Sequence, residues 1–491
     1  MAKQGFHIDE IYSYGLSNGY YQPFPTATNE WLAGNYYQQY LMPDAAHRFQ
    51  YGSVISNQVN DVHPPLYYIL FHTLSSIWPG EFSPLVGVSL NILSHLGTVL
   101  VIGVIIYLLT HNGLLALGTS LFWGLSIGGL SSMLFIRMYH LMGFLVVLLT
   151  YLLLVYVRNY SKWQYLLLIP IYITILAGSL THYYFYIIAC FLIVMTCLIF
   201  FISKAYAKGF AVGVIALGAV GGAWAFFPAI FTHITQSNRG VEVLTNANDG
   251  NLTENLLKYL NFIQEDLWAD IPLVIFVAIL LIIGTLLVYG SRRRLSKDTL
   301  LHSLILILPT GGYIVLVQDL SHYHTARYIY PIYPLIIMIS SLTLYYSLRT
   351  IVNKKTATVV ISLCITLTLA LGFKSKVVDF QYHEQGQLNE TLASLPNDNA
   401  MIFTQKRWQI AEYSVQLAQY EKVYPMVLVS EEPDALPVLQ EDQVGEDLTV
   451  FVSNPDLEMG QLVQSIQEKY SLNAADVIYQ TDDSTVYQFS N

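Results

Sequence analysis

Long stretches of apolar residues that carry almost no charge recur along this chain and leave it few ways to fold. Each is about 20 residues long, which is the length that a helix needs to cross the hydrocarbon core of a bilayer. They lie near residues 83–109, 113–134, 138–157, 163–181, 184–203, 209–231, 271–290, 299–318, 328–348 and 356–373. A bilayer offers no water to backbone groups, so such segments can only be helices. The sequence therefore predicts an α-helical polytopic membrane protein with ten transmembrane helices.

Lysine and arginine are divided unequally between the two sides of this bundle, in a chain of which only 11% is charged and 54% is hydrophobic. One side holds Arg158, Lys162, Lys204, Lys208, Arg292, Arg293, Arg294, Lys297, Arg349, Lys354 and Lys355. The short loops of the other side hold Arg137, Arg239, Lys258 and Arg327. By the positive-inside rule the first side is cytoplasmic. Residues 83–373 then form the transmembrane body. Residues 1–82 and 374–491 lie on the extracytoplasmic side of the membrane.

The leading segment 1–82 is polar and rich in tyrosine. To lie outside it must cross the membrane, yet Met1–Phe6 contains no signal peptide, so we expect a first transmembrane helix upstream of Met1. Residues 66–78 are apolar but too short to span the bilayer. They follow Pro64-Pro65, and proline is tolerated in a first helical turn. This pattern predicts a helix that lies in or re-enters the interface.

The tail 374–491 has a different, polar composition, with 19 acidic and 6 basic residues. Strand-like runs and helical patterns alternate in it, the former near 400–404, 425–430, 448–453, 475–480 and 484–489, the latter near 406–419 and 456–470. We expect a small extracytoplasmic α/β domain of roughly 110 residues, large enough for its own core. It would dock an acceptor or a partner, and its acidic balance argues against nucleic acid.

Ionisable residues concentrate at the exterior ends of the helices. Asp9 and Glu10 open the leading segment, and alone they are also explained as an acidic pair favoured by a helix dipole. The exterior junctions contain Arg137-Met138-Tyr139, Thr181-His182-Tyr183-Tyr184 and the run from Ser321 to Tyr328. An arginine buried at this face is costly unless it meets an anion, although its side chain could also reach lipid phosphate. Together these groups indicate a pocket for an anionic, lipid-borne group.

Five motifs of the chain resemble one enzyme family. They are Asp9-Glu10, "DVHPPLYY" at 61–68, "RMYHL" at 137–141, "THYYF" at 181–185 and "ARYIYPIYPL" at 326–335. In this order they are similar to the polyprenyl-phosphate-sugar-dependent membrane glycosyltransferases of the GT-C fold, the bacterial relatives of protein O-mannosyltransferases and aminoarabinose transferases. The match runs in register from about residue 5 to 350, and the chain departs from the family by lacking its first helix.

The resemblance implies an inverting transfer of sugar from a lipid phosphate to a hydroxyl. Asp9 would be the general base, with Glu10 orienting it or binding the acceptor. Arg137 and Arg327 would stabilise the leaving phosphate. The remaining substrate-binding candidates are Asp61, His63, Tyr68, Tyr139, His182, Tyr183, His322, His324 and Tyr328. For the histidines a structural hydrogen-bonding role, and for the tyrosines a role as interface anchors, stay open.

The cofactor, the donor sugar and the acceptor are not fixed by the sequence. Asp9, Glu10 and Asp61 offer oxygen ligands suited to Mg²⁺ or Mn²⁺, but nothing in the sequence requires a metal. The expected partners are a polyprenyl-phosphate sugar, membrane lipids and an acceptor, with a cell-surface glycopolymer placed before a protein. A lipid-linked sugar transporter or flippase is the alternative from another class, although no internal repeat is visible. A membrane anchor for the tail is a third reading, for which ten helices are excessive.

Overall fold

A computed structural model describes residues 3–158, 162–237, 251–269, 297–321, 323–428, 436, 447–453, 459–472, 474–481 and 484–490. The chain forms two compact units. The first, called the sheet unit, comprises Met1–Asp61, Tyr68–Gly87 and Phe380–Asn491. The second, called the membrane unit, comprises Val62–Tyr67 and Val88–Asp379.

The leading segment contains four short helices and one short strand. They are α1 (Ile8–Asn18), β1 (Leu32–Ala33), α2 (Asn35–Leu41), α3 (Tyr51–Val59) and α4 (Leu66–Ser75). Helix α4 begins directly after Pro64-Pro65, at the position where the sequence places a helix start. Gly15 of α1 lies against the ring of Tyr40, which occupies the space that a larger side chain would need. Helices α1 and α2 are therefore closely packed against each other.

Twelve helices follow between Pro84 and Ser375 in the described part of the chain. They are α5 (Pro84–Thr110), α6 (Gly113–Leu125), α7 (Ile127–Leu134), α8 (Tyr139–Arg158), α9 (Leu168–Ser179), α10 (Tyr184–Ile202), α11 (Tyr206–Phe226), α12 (Ala229–Thr235), α13 (Leu252–Leu267), α14 (Lys297–Leu320), α15 (Tyr333–Ile351) and α16 (Lys354–Ser375). Large apolar side chains point outward from them, such as Leu217 of α11, which is 76% exposed. Such a surface suits lipid and not water, so the protein is a multi-pass membrane protein.

The number of spanning helices is lower than the ten predicted. Among the described residues, seven helices are long and apolar enough to cross a membrane, or eight if α6 and α7 form one bent span. The predicted span at 163–181 is shorter than expected, because its first part is a 3-10 helix (Lys162–Leu167) that precedes α9. The predicted span at 271–290 lies outside the described residues.

Ser126 causes the bend of 51° between α6 and α7. Its backbone is extended, and its Oγ accepts a hydrogen bond from the N–H of Gly129 at 3.1 Å. The same hydroxyl donates to the carbonyl of Trp123 at 3.1 Å. One serine thus caps the end of α6 and the start of α7, which satisfies backbone groups that a break in an apolar helix would otherwise expose.

The tail forms a small α/β domain, as predicted. Its strands are β2 (Asn399–Thr404), β3 (Lys422–Val427), β4 (Asp447–Ser453), β5 (Ala474–Gln480) and β6 (Thr485–Ser490). Its helices are α17 (His383–Leu392), a 3-10 helix (Arg407–Tyr413), α18 (Ser414–Leu417) and α19 (Met459–Tyr470). The sheet order is β1-β3-β2-β4-β6-β5, with β2 parallel to both of its neighbours and the other pairs antiparallel.

The central strand β2 is buried on both faces of this sheet. Met401 and Phe403 belong to the apolar core on one face, and Ala400 and Ile402 belong to the core on the other. Alternate residues of a strand point to opposite faces, so a strand covered on both sides reads as a continuous apolar run. That run is the signal that identified this strand in the sequence.

The leading segment contributes an edge strand to the sheet of the tail. Strand β1 pairs antiparallel with β3, with Leu32 opposite Val423 and Ala33 opposite Lys422. Trp31 packs its ring against Tyr424, with centroids 5.4 Å apart. The two ends of the sequence therefore fold as one unit. A strand of two residues carries no periodic pattern, so this pairing could not be predicted from the sequence.

Candidate active site

The residues proposed for the site from the sequence are distributed over both units. Those of the sheet unit are Asp9, Glu10, Asp61 and Tyr68. Those of the membrane unit are His63, Arg137, Tyr139, His182, Tyr183, His324, Arg327 and Tyr328. The remaining candidate, His322, lies outside the described residues.

At the start of α1 the two neighbouring carboxylates have different surroundings. Glu10 is fully buried and accepts a hydrogen bond from the His7 backbone N–H at 2.7 Å, which completes a capping box. Its carboxylate also forms an ion pair with Lys3 at 2.9 Å. Burial lowers the pKa of Lys3, and the charge of Glu10 opposes that shift. These contacts indicate that Glu10 holds the start of α1 in place.

The Asp9 side chain, by contrast, is 24% exposed. Its backbone N–H donates to Nδ1 of His7 at 3.0 Å, so that nitrogen carries no proton. The distance of 3.7 Å between His7 Nδ1 and the Asp9 carboxylate is therefore not an ion pair. Asp9 thus lies in the capped first turn of α1 with its side chain partly exposed.

Asp61 and Tyr68 lie on either side of the His-Pro-Pro run. Asp61 is half-buried, and its backbone N–H bonds to the Gln58 carbonyl at 3.2 Å beyond the end of α3. Tyr68 lies in the first turns of α4 and is fully buried.

Within the membrane unit, rings from four separate segments surround His182. The centroid of His182 lies 6.0 Å from His63, 5.2 Å from Tyr139 and 5.1 Å from Tyr184. Tyr328 closes the group, 6.0 Å from Tyr139 and 5.4 Å from Tyr184. We call these five residues the aromatic cluster. The sequence separates them by up to about 270 positions, and the fold brings them together.

His182 is a neutral imidazole whose tautomer is set by its neighbours. Its Nδ1 accepts a hydrogen bond from the Tyr184 backbone N–H at 3.0 Å, so the ring proton is on Nε2. Burial lowers the pKa of His182 well below its ordinary value, and the charges of His63, Arg137 and Arg327 lower it further. The side chain therefore offers an N–H donor and no positive charge of its own.

The two arginines are close in sequence to members of the aromatic cluster, since Arg137 stands two positions before Tyr139 and Arg327 directly precedes Tyr328. Both guanidinium groups contribute to the lowered pKa of His182. Arg137 is buried, with 5% of its surface exposed, and directly precedes α8. Its turn is held by Asn91 of α5, whose side-chain amide donates to the Phe135 carbonyl at 2.6 Å and to the Met133 carbonyl at 3.2 Å.

Arg327 lies in a 3-10 helix (Ala326–Tyr328) that follows α14. Its guanidinium stacks over the Tyr328 ring at 5.5 Å. The hydroxyl of Tyr313 donates to the Tyr328 carbonyl at 2.7 Å and fixes this turn against α14. Further along, Pro331 approaches Gly143 of α8 so closely that a Cβ on the glycine would lie 3.3 Å from it. The segment that contains Arg327 and Pro331 therefore packs against α8, the helix that follows Arg137.

Two of the sequence candidates have contacts outside the aromatic cluster. The Tyr183 hydroxyl bonds to Nδ1 of His233 in α12 at 2.7 Å. His324 bonds to the Gln318 carbonyl at 3.2 Å, and its ring lies 5.9 Å from Tyr259 of α13. Burial raises the pKa of Tyr259 to about 12.

Several residues of this region were missed at the sequence level. Tyr184 is in the cluster although its neighbour Tyr183 was chosen, and its hydroxyl bonds to Ser321 at 3.1 Å. Tyr259 on α13 and His233 on α12 lie between the predicted spans 209–231 and 271–290, where no candidate residue was chosen. The helical spacing of Tyr259, Ile263 and Leu267, which are all buried, was the available signal for α13.

As for a metal, the residues that the structure describes contain no group of three or more His, Cys, Asp or Glu side chains placed to hold an ion. What the membrane unit does assemble is a set of donors: two guanidinium groups and the Nε2–H of His182. Donors of this kind bind an anion such as a phosphate, and Arg does so in a bidentate manner.

Solved structures of ArnT from Cupriavidus metallidurans are similar to the whole chain. The crystal structure bound to undecaprenyl phosphate matches 99% of this chain and 94% of its own, with a TM-score of 0.54 and 10% identity. The structure in the apo state matches 98% and 96%, with a TM-score of 0.50 and 9% identity. No protein-family profile and no curated protein matches the sequence.

The chain has the fold of ArnT. The GT-C fold expected from the sequence motifs is therefore confirmed, over the membrane body and the tail together. At an identity of 10% the likeness to ArnT is one of fold, since few side chains are shared.

Proposed function

We propose that this protein is an inverting glycosyltransferase that moves a sugar from a polyprenyl-phosphate donor to a hydroxyl of an extracytoplasmic acceptor. The observation that carries the proposal is the aromatic cluster around the neutral His182, in which Tyr139 and Tyr328 belong to the turns that contain Arg137 and Arg327. It is supported by the fold, because ArnT of the same fold has been solved with undecaprenyl phosphate bound. The motifs that resemble the lipid-phosphate-sugar transferases are the ones that supply these residues.

In this proposal the aromatic cluster binds the lipid phosphate. The reaction breaks the bond between the anomeric carbon and a phosphate oxygen, and the leaving phosphate gains negative charge. The guanidinium groups of Arg137 and Arg327 stabilise that charge, and the Nε2–H of His182 donates a hydrogen bond to it. A neutral histidine suits this task, since a protonated one would be repelled by both arginines. Tyr139 and Tyr328 line the site, and His63 lies beside His182.

Asp9 is the proposed general base, which takes the proton of the acceptor hydroxyl as its oxygen attacks the anomeric carbon. The exposure of its carboxylate supports this role. The contacts of Glu10 with Lys3 and His7 favour an orienting role for that residue, which keeps the turn of Asp9 in place. A single displacement of this kind inverts the configuration at the anomeric carbon. The remaining proposed substrate-binding residues are Asp61, Tyr68, Tyr183, His322 and His324.

The excess of lysine and arginine on one side of the bundle supports an extracytoplasmic orientation of the site and of the tail. A cell-surface glycopolymer is then the proposed acceptor, with protein O-glycosylation as the second choice. A divalent cation is not required for any step above.

Transfer assays with the purified full-length protein test this proposal. A panel of radiolabelled undecaprenyl-phosphate sugars is offered together with extracted cell-surface glycopolymer, and label in the polymer is counted. We expect Asp9→Asn and Arg327→Ala to lower transfer by about 100-fold or more. The matched controls are Asp476→Asn on the exposed edge strand β5 and Arg349→Ala at the far end of α15, which should transfer at the wild-type rate.

Two results would contradict the proposal. One is undiminished transfer by both Asp9→Asn and Arg327→Ala. The other is movement of the intact lipid-linked sugar across the bilayer of proteoliposomes without release of its polyprenyl phosphate, which is the behaviour of a flippase.

A further inference from the structure

Helix α1 is buried along most of its length and exposes one narrow face. From Glu10 to Asn18 every residue except Tyr12 is buried. Asp9 and Tyr12 are both half-exposed. Residues three apart on a helix are neighbours on one face, so the Tyr12 side chain lies one turn from the carboxylate proposed as the base.

A segment of the tail lies directly beside this face. The Tyr12 hydroxyl donates to the Trp408 carbonyl at 3.2 Å. Trp408 is in the 3-10 helix Arg407–Tyr413, which is anchored in the sheet unit by the buried Ile410 and Ala411. The side-chain oxygen of Gln409 accepts from the Lys406 backbone N–H at 2.7 Å and fixes the start of this helix. These contacts hold Trp408 beside α1.

The outer side of this segment is both aromatic and basic. Trp408 is 52% exposed, and Lys406 and Arg407 before it are also exposed. Lys406-Arg407 is the only adjacent basic pair in the sequence 374–491, which otherwise carries an excess of acidic residues. An exposed Trp beside two cations, in a tail that is acidic elsewhere, points to a ligand that is planar-faced or ring-shaped and negatively charged.

We propose that Tyr12, Lys406, Arg407 and Trp408 form an acceptor subsite, which binds an anionic carbohydrate chain next to Asp9. The electron-rich face of an indole attracts the polarised C–H groups of a sugar ring. The ammonium and guanidinium groups bind the carboxylates or phosphates that such a chain carries. The inference rests on the proposed function, and it narrows the acceptor to an anionic glycan and assigns the tail a part in binding it.

Equilibrium binding to the full-length protein in detergent tests the subsite directly. The probes are hexagalacturonate as an anionic oligosaccharide, maltohexaose as a neutral one of equal length, and oligoglutamate as an acidic peptide. We expect hexagalacturonate to bind tightest, and to bind more weakly as salt is raised. Trp408→Ala and the pair Lys406→Gln with Arg407→Gln should each weaken it at least about fivefold.

Two control variants separate this effect from general surface changes. Trp78→Ala removes a tryptophan of the same unit that is equally exposed, at 53%, and Lys422→Gln removes an exposed lysine of β3. Both should bind hexagalacturonate as the wild type does. The inference is overturned if Trp408→Ala binds as tightly as Trp78→Ala, if maltohexaose binds as tightly as hexagalacturonate, or if oligoglutamate competes with equal strength.

Steady-state transfer distinguishes failure of the subsite from failure of the proposed function. With extracted glycopolymer as acceptor, Trp408→Ala should raise the acceptor KM about tenfold and leave kcat and the donor KM within about twofold. If Asp9→Asn abolishes transfer while Trp408→Ala leaves the acceptor KM unchanged, the subsite is wrong and the transferase is not. If no variant changes transfer, the proposed function itself is wrong.

Discussion

The Nδ1 atom of His182 accepts a hydrogen bond from the Tyr184 backbone N–H at 3.0 Å, at the turn between α9 and α10. This bond commits the ring to its Nε2–H tautomer, and burial with two arginines nearby holds its pKa well below the ordinary value. A histidine of this kind binds as a fixed donor and does not exchange protons at neutral pH. We therefore expect that titration of His182 does not contribute to the pH dependence of transfer between about pH 6 and 8.

The depressed pKa of His182 also makes folding sensitive to acid. The unfolded chain binds a proton at this residue below about pH 6.5, whereas the folded chain keeps it neutral. The contribution of neutral His182 to the free energy of unfolding is therefore fully present above about pH 6.5. It is lost as the pH falls below that value, by at most about 1.4 kcal/mol per pH unit. Thermal unfolding in detergent at pH 7.5 and 5.5 measures it. His182→Gln should reduce the difference between the two midpoints, and the exposed His111→Gln should not. An unchanged difference in His182→Gln would contradict the lowered pKa of His182 in the folded protein.

A second prediction concerns Asn91, which does not touch the rings but holds the turn before Arg137. Asn91→Leu removes two hydrogen bonds and leaves the buried carbonyl of Phe135 without this donor, at a cost of about 1–3 kcal/mol. Because the turn positions Arg137, we expect the donor KM to rise about tenfold. The acceptor KM should stay constant.

The control for Asn91 is Ser94→Ala, one turn further along α5. Ser94 is equally buried, but its hydroxyl bonds only within its own helix, to the Leu90 carbonyl at 2.9 Å. It should leave the donor KM unchanged. A donor KM in Asn91→Leu equal to that of Ser94→Ala would show that the turn does not position Arg137.

The third prediction separates structure from chemistry at Glu10. Glu10→Gln leaves the Lys3 ammonium buried without its counter-ion, which costs about 3–5 kcal/mol. The double variant Lys3→Met with Glu10→Gln removes both charges and should recover most of that loss. Its transfer rate at low temperature should be close to wild type, because Asp9 keeps its place. Circular dichroism melting and the transfer assay provide the two measurements.

An exposed pair serves as the control for this cycle. Glu254 and Lys258 form an ion pair at 2.9 Å on the surface of α13, where solvent screens the charges. Glu254→Gln should leave the melting midpoint unchanged. Loss of transfer in the folded double variant would instead assign Glu10 a direct part in catalysis.

Much of the membrane body could be predicted because apolar length is a strong signal. Its irregularities could not. The break in the span 113–134 depends on one hydroxyl, Ser126, that caps two helices at once. Serine is common in apolar helices, and the flanking Gly124, Gly128 and Gly129 are a weak signal, because glycine is frequent in transmembrane helices. Strand β1 was missed for a similar reason, since two residues carry no periodicity and their pairing with β3 is set by the tertiary fold.

Some residues of the site could likewise be predicted from the sequence, and others could not. Arg137, His182 and Arg327 stand out in the sequence because charged or titratable groups are rare among apolar helices. Both arginines contribute to the lowered pKa of His182, and their part in the site stays a prediction. Tyrosines are too frequent in this chain for such an argument, with 37 among 491 residues. Which of Tyr183 and Tyr184 reaches the cluster depends on how α10 is rotated about its axis, because successive side chains on a helix point about 100° apart.

That pair of neighbours gives the last prediction. Tyr184 lies in the aromatic cluster and bonds to Ser321, whereas Tyr183 bonds to His233 on α12. Tyr184→Ala should lower transfer at least about tenfold, since it removes the ring that contacts both His182 and Tyr328. Tyr184→Phe keeps the ring and loses only the bond to Ser321, so it should retain most of the activity.

Tyr183→Phe is the matched comparison, because it deletes one hydroxyl from the neighbouring position. It removes the hydrogen bond to His233, at a cost of about 1 kcal/mol in stability, and should transfer at nearly the wild-type rate. The prediction is contradicted if Tyr183→Phe loses transfer while Tyr184→Ala does not, because Tyr183 would then be the tyrosine that the site needs. Helix α10 would then be rotated about its axis in the working enzyme, since successive side chains on a helix point about 100° apart.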